Sequence, residues 1–181
     1  MENFDLFKLN ESEENYQIEV DEISENEIAI IGISSKMPLA DSETDFWNNI
    51  LNKNESLSEI KGQRKQDTDN LASLLDKEKK YIKASYLEEI DKFDYSFFKY
   101  SPIEAKYMDP NQKLFLETTF EAIEDAGYGG DKLKGTNTGI YVGYSDLMSY
   151  KYFQFIKEFG EDNMGIASAG NIPSIIPSRI S

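Results

Sequence analysis

Two helix starts built on one plan follow each other between Ser101 and Gln112. In Ser101-Pro102-Ile103-Glu104 the serine oxygen can accept an orphan backbone N–H, the proline fills the first helical position, and the glutamate can reach back to the cap. Asp109-Pro110-Asn111-Gln112 nearly repeats the arrangement. These starts predict a helix opening at Pro102 and a longer one from Pro110 to Ala126, stopped by Gly127, a residue that enters the left-handed region freely. Along the second helix Leu116, Phe120 and Ile123 share a face, with Phe115, Thr119, Ala122 and Ala126 on the adjoining strip. So broad an apolar face predicts a helix that is largely buried.

Two short apolar runs, Ile28–Ile33 and Thr138–Gly143, suit strands buried on both faces of a parallel sheet. The first is not a dinucleotide strand. Gly32 is followed by Ile33, Ser34, Ser35, Lys36 and Met37, without the required glycine spacing, and no Walker-type Gly-Lys-Ser/Thr occurs. Asp41–Leu51 reads as a short helix capped by Asp41 or Ser42. Its stripe of Phe46, Trp47, Ile50 and Leu51 is expected in the core. Leu57–Lys80 is polar and lysine-rich, with a short surface helix expected over 71–80 and an edge strand over Tyr81–Leu87. Phe153, Ile156 and Phe159 place an amphipathic helix within Met148–Phe159. Tyr128–Gly130 is a turn, and Ile166–Ser181 is rich in small residues and proline.

Charge narrows the partners. The chain of 181 residues carries a net charge of −15. Residues 1–27 hold ten acids against one lysine. Phosphate backbones and anionic membrane surfaces would be repelled, so neither nucleic acid nor membrane is expected. No apolar run approaches the roughly 18 residues of a membrane span. The acidic N-terminus lacks the order of a secretion signal, so a cytoplasmic location is expected. Residues 1–27 form an acidic leader with two readings. One is a solvated tail; the other is a docking segment that orders on a partner, with Phe4 and Phe7 on one helix face.

The ordered blocks of the chain carry a family resemblance. Ile28-Ala29-Ile30-Ile31-Gly32-Ile33-Ser34, Met37-Pro38 and Asp45-Phe46-Trp47 come first. Phe93-Asp94-x-x-Phe97-Phe98, Ser101-Pro102-x-Glu104-Ala105 and Met108-Asp109-Pro110-x-Gln112 come next. They are followed by Leu116-Glu117, Glu121 to Gly127, Gly135-x-x-Thr138-Gly139, Val142-Gly143 and Arg179-Ile180-Ser181. In this order and spacing they resemble the N-terminal part of the ketosynthase (beta-ketoacyl synthase) domains of modular polyketide synthases. The resemblance covers 28–181, set apart from the leader 1–27. Met37, Lys113 and Pro177-Ser178 stand where the family commonly has phenylalanine, arginine and alanine-asparagine.

The resemblance implies an α/β, thiolase-like layered fold, of which only the N-terminal portion is present. It also implies acyl transfer from a carrier protein followed by decarboxylative Claisen condensation, the work of an acyltransferase. The family's cysteine nucleophile follows the Arg-Ile-Ser block, and its two histidines and a lysine lie further on. This chain has no cysteine and no histidine. Transacylation needs a thiolate activated by a base or helix dipole, and decarboxylation needs donors aimed at the developing enolate. No catalytic, cofactor-binding or metal residue is therefore assigned, and the chain alone is expected to be inactive.

Other sites are poor. Ser35-Lys36 would point to opposite faces of a strand. Asp67-x-Asp69 lacks the glycine and terminal glutamate of a calcium loop. Glu121, Glu124 and Asp125 read as a solvated helix face rather than paired acid–base carboxylates.

No cofactor is expected to bind directly. By resemblance the substrates are phosphopantetheine-tethered acyl groups. The implied partners are the remainder of the ketosynthase or another synthase subunit, an acyl carrier protein, and a second copy in a homodimer. The alternative is a non-catalytic docking module of a synthase assembly. Either way the chain should expose apolar surface and unpaired strand edges.

Overall fold

The computed structural model describes residues 28–76, 78–79, 81–159 and 163–181, with backbone alone for 146–150 and 159. The chain divides into units Met1–Ile30 and Ile31–Ser181. Of the first, only residues 28–30 are described; they are exposed and irregular. The leader readings at Phe4 and Phe7 lie outside the described residues.

The second unit is mainly helical. Its elements are α1 (Glu43–Leu51), β1 (Leu57–Ser58), α2 (Gly62–Leu74), β2 (Ala84–Ser85), α3 (Pro102–Tyr107), α4 (Pro110–Asp125), α5 (Asp146–Phe159), α6 (Met164–Gly170) and α7 (Ile176–Ile180). A 3-10 turn, Pro173–Ile175, leads into α7. β1 and β2 pair antiparallel, Leu57 opposite Ser85 and Ser58 opposite Ala84. This narrows the edge strand expected over Tyr81–Leu87 to a bridge of two residues. The surface helix starts well before the stretch 71–80. Leu71–Leu74 close α2, and Asp76 then takes a positive φ of 49°.

The core sits where α6 packs against both α3 and α5. Tyr107, Ile156 and the fully buried Ala167 meet there, flanked by Tyr152 and Met164. Ile156 is thus the buried member of the α5 stripe. α7 packs on α4, and Ile176, Met108 and Leu116 are buried nearby. A second cluster is aromatic. Asp94 accepts the Phe97 N–H at 2.9 Å and fixes a turn. Phe97 then meets Phe120 of α4 edge-on at 4.9 Å, and Phe98 stacks on Phe93 at 5.1 Å.

Three expectations are corrected. Ile28–Ile33 and Thr138–Gly143 form no strand. Ile28 is 94% and Tyr141 is 96% exposed. A buried parallel strand needs neighbours on both edges, and among the described residues neither run has one. The expected apolar exposure is present, but as irregular chain rather than as open strand edges. Second, Trp47 is 59% exposed, and α1 has no buried residue. Third, α4 is not largely buried. Of its sixteen residues only Gln112 and Leu116 are buried, and Phe120, though it meets Phe97, is 37% exposed.

Candidate functional site

The most constructed part of the molecule is the elbow between α3 and α4. Both arms of the first capping box form. Ser101 Oγ accepts the Glu104 N–H at 3.3 Å, and Glu104 Oε2 accepts the Ser101 N–H at 3.0 Å. The Ser101 hydroxyl bond, then the backbone bond, hold the Glu104 carboxyl below its ordinary value.

The second box forms only halfway. Asp109 Oδ1 accepts the Asn111 N–H at 2.8 Å, but the Asp109 N–H is taken by Asn171 Oδ1 at 2.7 Å. The acceptor that sequence grammar assigns to Gln112 therefore comes from the end of α6. Gln112 is 1% exposed, and its amide oxygen and nitrogen have no hydrogen-bond partner among the described residues.

Asn171 does more. Its Nδ2 donates to Tyr107 O at 2.7 Å and Ala167 O at 2.8 Å. Tyr152 donates to Met108 O at 3.3 Å, and Tyr144 donates to Asp109 Oδ2 at 3.1 Å. Burial, with Asp109 and Tyr107 adding to it, pushes the Tyr152 hydroxyl up to about 12. It is a fixed donor at neutral pH. Burial likewise lowers Lys113 on α4.

Arg179 braces the same elbow from α7. Its guanidinium lies 5.0 Å from the Tyr100 ring centre, donates to Gly170 O at 2.6 Å, and reaches Met108 Sδ at 3.9 Å. A cation on the last carbonyls of α6 suits the helix dipole. Between these parts lies an open groove of about 740 Å³, walled by Ile103, Tyr107, Met108, Ile166 and Ile175. Its polar rim is occupied, with Ser101 and Glu104 bonded to each other and Arg179 to Gly170. The groove offers apolar contact and no nucleophile–base pair.

The other sequence candidates are dispersed. Ser35 donates to Glu43 at 3.2 Å, whereas Lys36 binds Glu121 at 2.5 Å, so the two form no dyad. Asp67 lies inside α2 and accepts from Gln63 at 2.8 Å; a helix cannot make the calcium loop.

Glu121 and Asp125 are more than a solvated helix face. Asp125 accepts the Ile33 N–H at 2.9 Å, and Glu121 accepts from Ser34 at 2.8 Å and from Lys36. Gly32 lies so close to α4 that a Cβ there would meet Ala122 O and Ala126. The acidic and small residues of α4 thus tether residues 32–36. Burial pushes Glu121 upward, but the Lys36 and Ser34 hydrogen bonds outweigh it and hold the carboxyl low. Sequence reasoning missed this tether and the part played by Asn171. The spacing of Glu121, Ala122, Asp125 and Ala126 along one helix face was the available signal.

The elbow carries two of the blocks of the family resemblance, Met108-Asp109-Pro110 and Arg179-Ile180-Ser181. Residues 25–181 match the model described as the beta-ketoacyl synthase N-terminal domain. The chain belongs to the beta-ketoacyl synthase family. This ketosynthase segment is 36% identical over 174 residues to polyketide synthase PksL of Bacillus subtilis, covering 91% of this chain and 4% of that one. It is 38% identical over 167 residues to mellein synthase of Phaeosphaeria nodorum, covering 88% and 9%. The oxazolomycin ketosynthase domain OzmH KS7 of Streptomyces albus superposes with a TM-score of 0.63 at 27% identity, over 84% of this chain and 26% of that chain. The module 6 ketosynthase of the Bacillus subtilis bacillaene synthase gives 0.56 at 27%, over 82% and 24%.

The ketosynthase segment therefore spans less than a tenth of these curated relatives and about a quarter of the solved ketosynthases. Its fold is the N-terminal portion of their thiolase-like architecture. Among the described residues, no helix is long and apolar enough to cross a membrane.

Proposed function

We propose that this chain is the scaffold portion of a polyketide-synthase ketosynthase and that it is inactive by itself. The observation that carries the reading is a formed ketosynthase elbow in a chain with no cysteine and no histidine. Acyl transfer needs a thiolate and condensation needs enolate donors. A neighbouring part of the domain must supply both, and no residue here takes a catalytic, cofactor-binding or metal-binding role.

The complete domain accepts an acyl chain from a carrier protein and extends it by decarboxylative Claisen condensation. Its substrates are tethered to phosphopantetheine, and it works in the cytoplasm. Its partners are the carrier protein, the rest of the ketosynthase and a second copy of the domain. Residues 1–27 are a leader distinct from the ketosynthase segment 28–181.

A radiolabelled acyl-carrier substrate should leave no covalent label on the purified chain; stable labelling overturns the reading. Grafted in place of the matched quarter of the bacillaene module 6 ketosynthase, residues 25–181 should support labelling of the host's cysteine. The exposed apolar face of α1 favours a second reading, a non-catalytic module of a synthase assembly. Such a module would give a folded graft without labelling.

A further inference from the structure

Ser101 is the one serine or threonine of the chain that is followed by proline. It stands in the open. Residues 101–104 are all exposed, and so is Lys99, which turns the chain just before them with a φ of 59°. Ala105 and Tyr107 are buried, so the serine sits at the edge of a fixed body. α3 has only six residues, and a helix that short has little stability of its own to resist local opening.

Beside this serine stands a cation with neutral partners. Arg179 shares a groove wall with Ser101 and Glu104. Its guanidinium lies 5.0 Å from the ring centre of Tyr100, the residue before Ser101. It donates to the Gly170 carbonyl and reaches the Met108 thioether. Among the described residues it has no carboxylate within ion-pair distance. Glu104 feels its charge, since the Ser101 bonds hold that carboxyl low and Arg179 adds to them. Yet the carboxylate is held by the Ser101 N–H and hydroxyl, not by Arg179. An arginine fixed in place by neutral groups suits a phosphate, whose oxygens accept from its planar fork.

We propose that Ser101 is a site of phosphorylation by a proline-directed protein kinase, and that Arg179 receives the phosphate. Ser101 Oγ forms a bond to the γ-phosphorus of a nucleoside triphosphate, the bond from that phosphorus to the bridging oxygen breaks, and the nucleoside diphosphate leaves. The hydroxyl proton, donated to Glu104 at 2.6 Å before the reaction, passes to the base of the kinase. Pro102 selects the class of kinase, because it has no N–H to give to a substrate groove. The phosphate adds a charge of about −1.5 to −2, which repels Glu104 and gives Arg179 the ionic partner it lacks.

The full chain is incubated natively with a purified mitogen-activated protein kinase, which is proline-directed, and radiolabelled ATP. The label should map to Ser101. Ser101→Asn keeps a capping side chain, and Pro102→Ala keeps the serine; each should lose nearly all of the label. Arg64 and Arg179 are the only arginines, so isotopically labelled arginine gives one Nε resonance for each. Phosphorylation should move that of Arg179, and phosphatase should restore it. Arg64, held by Leu87 O and Tyr86, should not respond.

The site is overturned if the native chain takes no label, if label appears only after unfolding in urea, or if Ser101→Asn is labelled as strongly as the parent. Full labelling of Pro102→Ala overturns the proline-directed class. A phosphorylated chain whose Arg179 resonance stays in place overturns the role given to Arg179. Neither readout involves acyl transfer, so the outcome is independent of the ketosynthase reading.

Discussion

At the elbow, side chains from α5, α6 and α7 come in to meet the main chain. Asn171 serves Asp109 N–H and Tyr107 O, and Tyr152 serves Met108 O. Along Thr138–Gly143, no backbone hydrogen bond is made among the described residues. Both stretches carry apolar sequence and both match the family. The difference lies in where each kind of structure finds its partners. A helix satisfies most of its peptide groups within itself and needs help only at its ends, which caps and one well-placed asparagine can give. A strand satisfies none alone and depends on its neighbours. Among the described residues helices accordingly predominate, and the one ladder is the two-residue β1–β2 pair.

Asn171→Ala is the hardest test of this contrast. It removes three hydrogen bonds, two of them to the buried main-chain groups Asp109 N–H and Tyr107 O. A hydrogen bond contributes about 0.5–1.5 kcal/mol net, so a loss of roughly 1.5–4.5 kcal/mol is expected from the three together. The urea midpoint of the helical circular dichroism signal reads it. Tyr141→Ala, at a residue 96% exposed, should leave that midpoint in place. Equal effects from the two substitutions would remove the distinction between the regions.

Residues 32–36 lie between the extremes, irregular yet tethered to α4. Gly32→Ala puts a Cβ against Ala122 O and Ala126. If the tether is real, overpacking should cost about 1–3 kcal/mol, read as faster exchange of the Ser34 and Lys36 amides. Unchanged exchange would show that this segment belongs with Thr138–Gly143. Within the elbow, Ser101→Ala should cost about 1 kcal/mol, the usual worth of a cap. Measurement by urea titration would then rank it below Asn171→Ala.

Legibility followed the same division. The starts of α3 and α4 and the stop at Gly127 were readable because caps are local. The stop is a Schellman end, with Gly127 at φ 75°, its N–H on Glu124 O and the Tyr128 N–H on Ile123 O. Ser42 and Ile156 were readable for the same reason. Burial of Trp47 and the two strands was not, because apolar runs show what a segment can bury and not what lies beside it.

Gln112 marks the limit within the elbow itself. Its spacing from Asp109 fits a capping box, yet Asn171, distant in sequence, occupies the site first. Gln112→Leu removes two polar atoms without partners among the described residues from a 1% exposed position. It should leave the urea midpoint unchanged or raise it by up to about 1 kcal/mol, since apolar replacement of unpaired polar groups is neutral to stabilising. A clear loss would mean the amide holds a partner after all.

Acid should loosen the tether before the elbow. Glu121 is held below the ordinary glutamate value of 4.5 when folded, by Lys36 and Ser34 acting against burial. Its contribution is therefore present above the unfolded value and is lost as pH falls through the folded one. Glu117, one turn earlier, is raised by burial, with Glu121 adding to it and Lys36 opposing it. It binds its proton more readily in the folded chain and so offsets part of the loss. The Lys36 and Glu121 side chains are 34% and 45% exposed. Solvent screening then limits the pair to about 0.2–1 kcal/mol, less than any substitution in the elbow that unpairs a buried group. Amide shifts of Ser34 and Lys36 should titrate below pH 4.5 and stop doing so in Glu121→Gln. The amide shifts of the buried Ala167 and Ile176, which pack around the elbow, should hold steady over the same range. If all four moved together, tether and elbow would be one cooperative unit, and the contrast between self-satisfied helices and partner-dependent segments would need redrawing around α4.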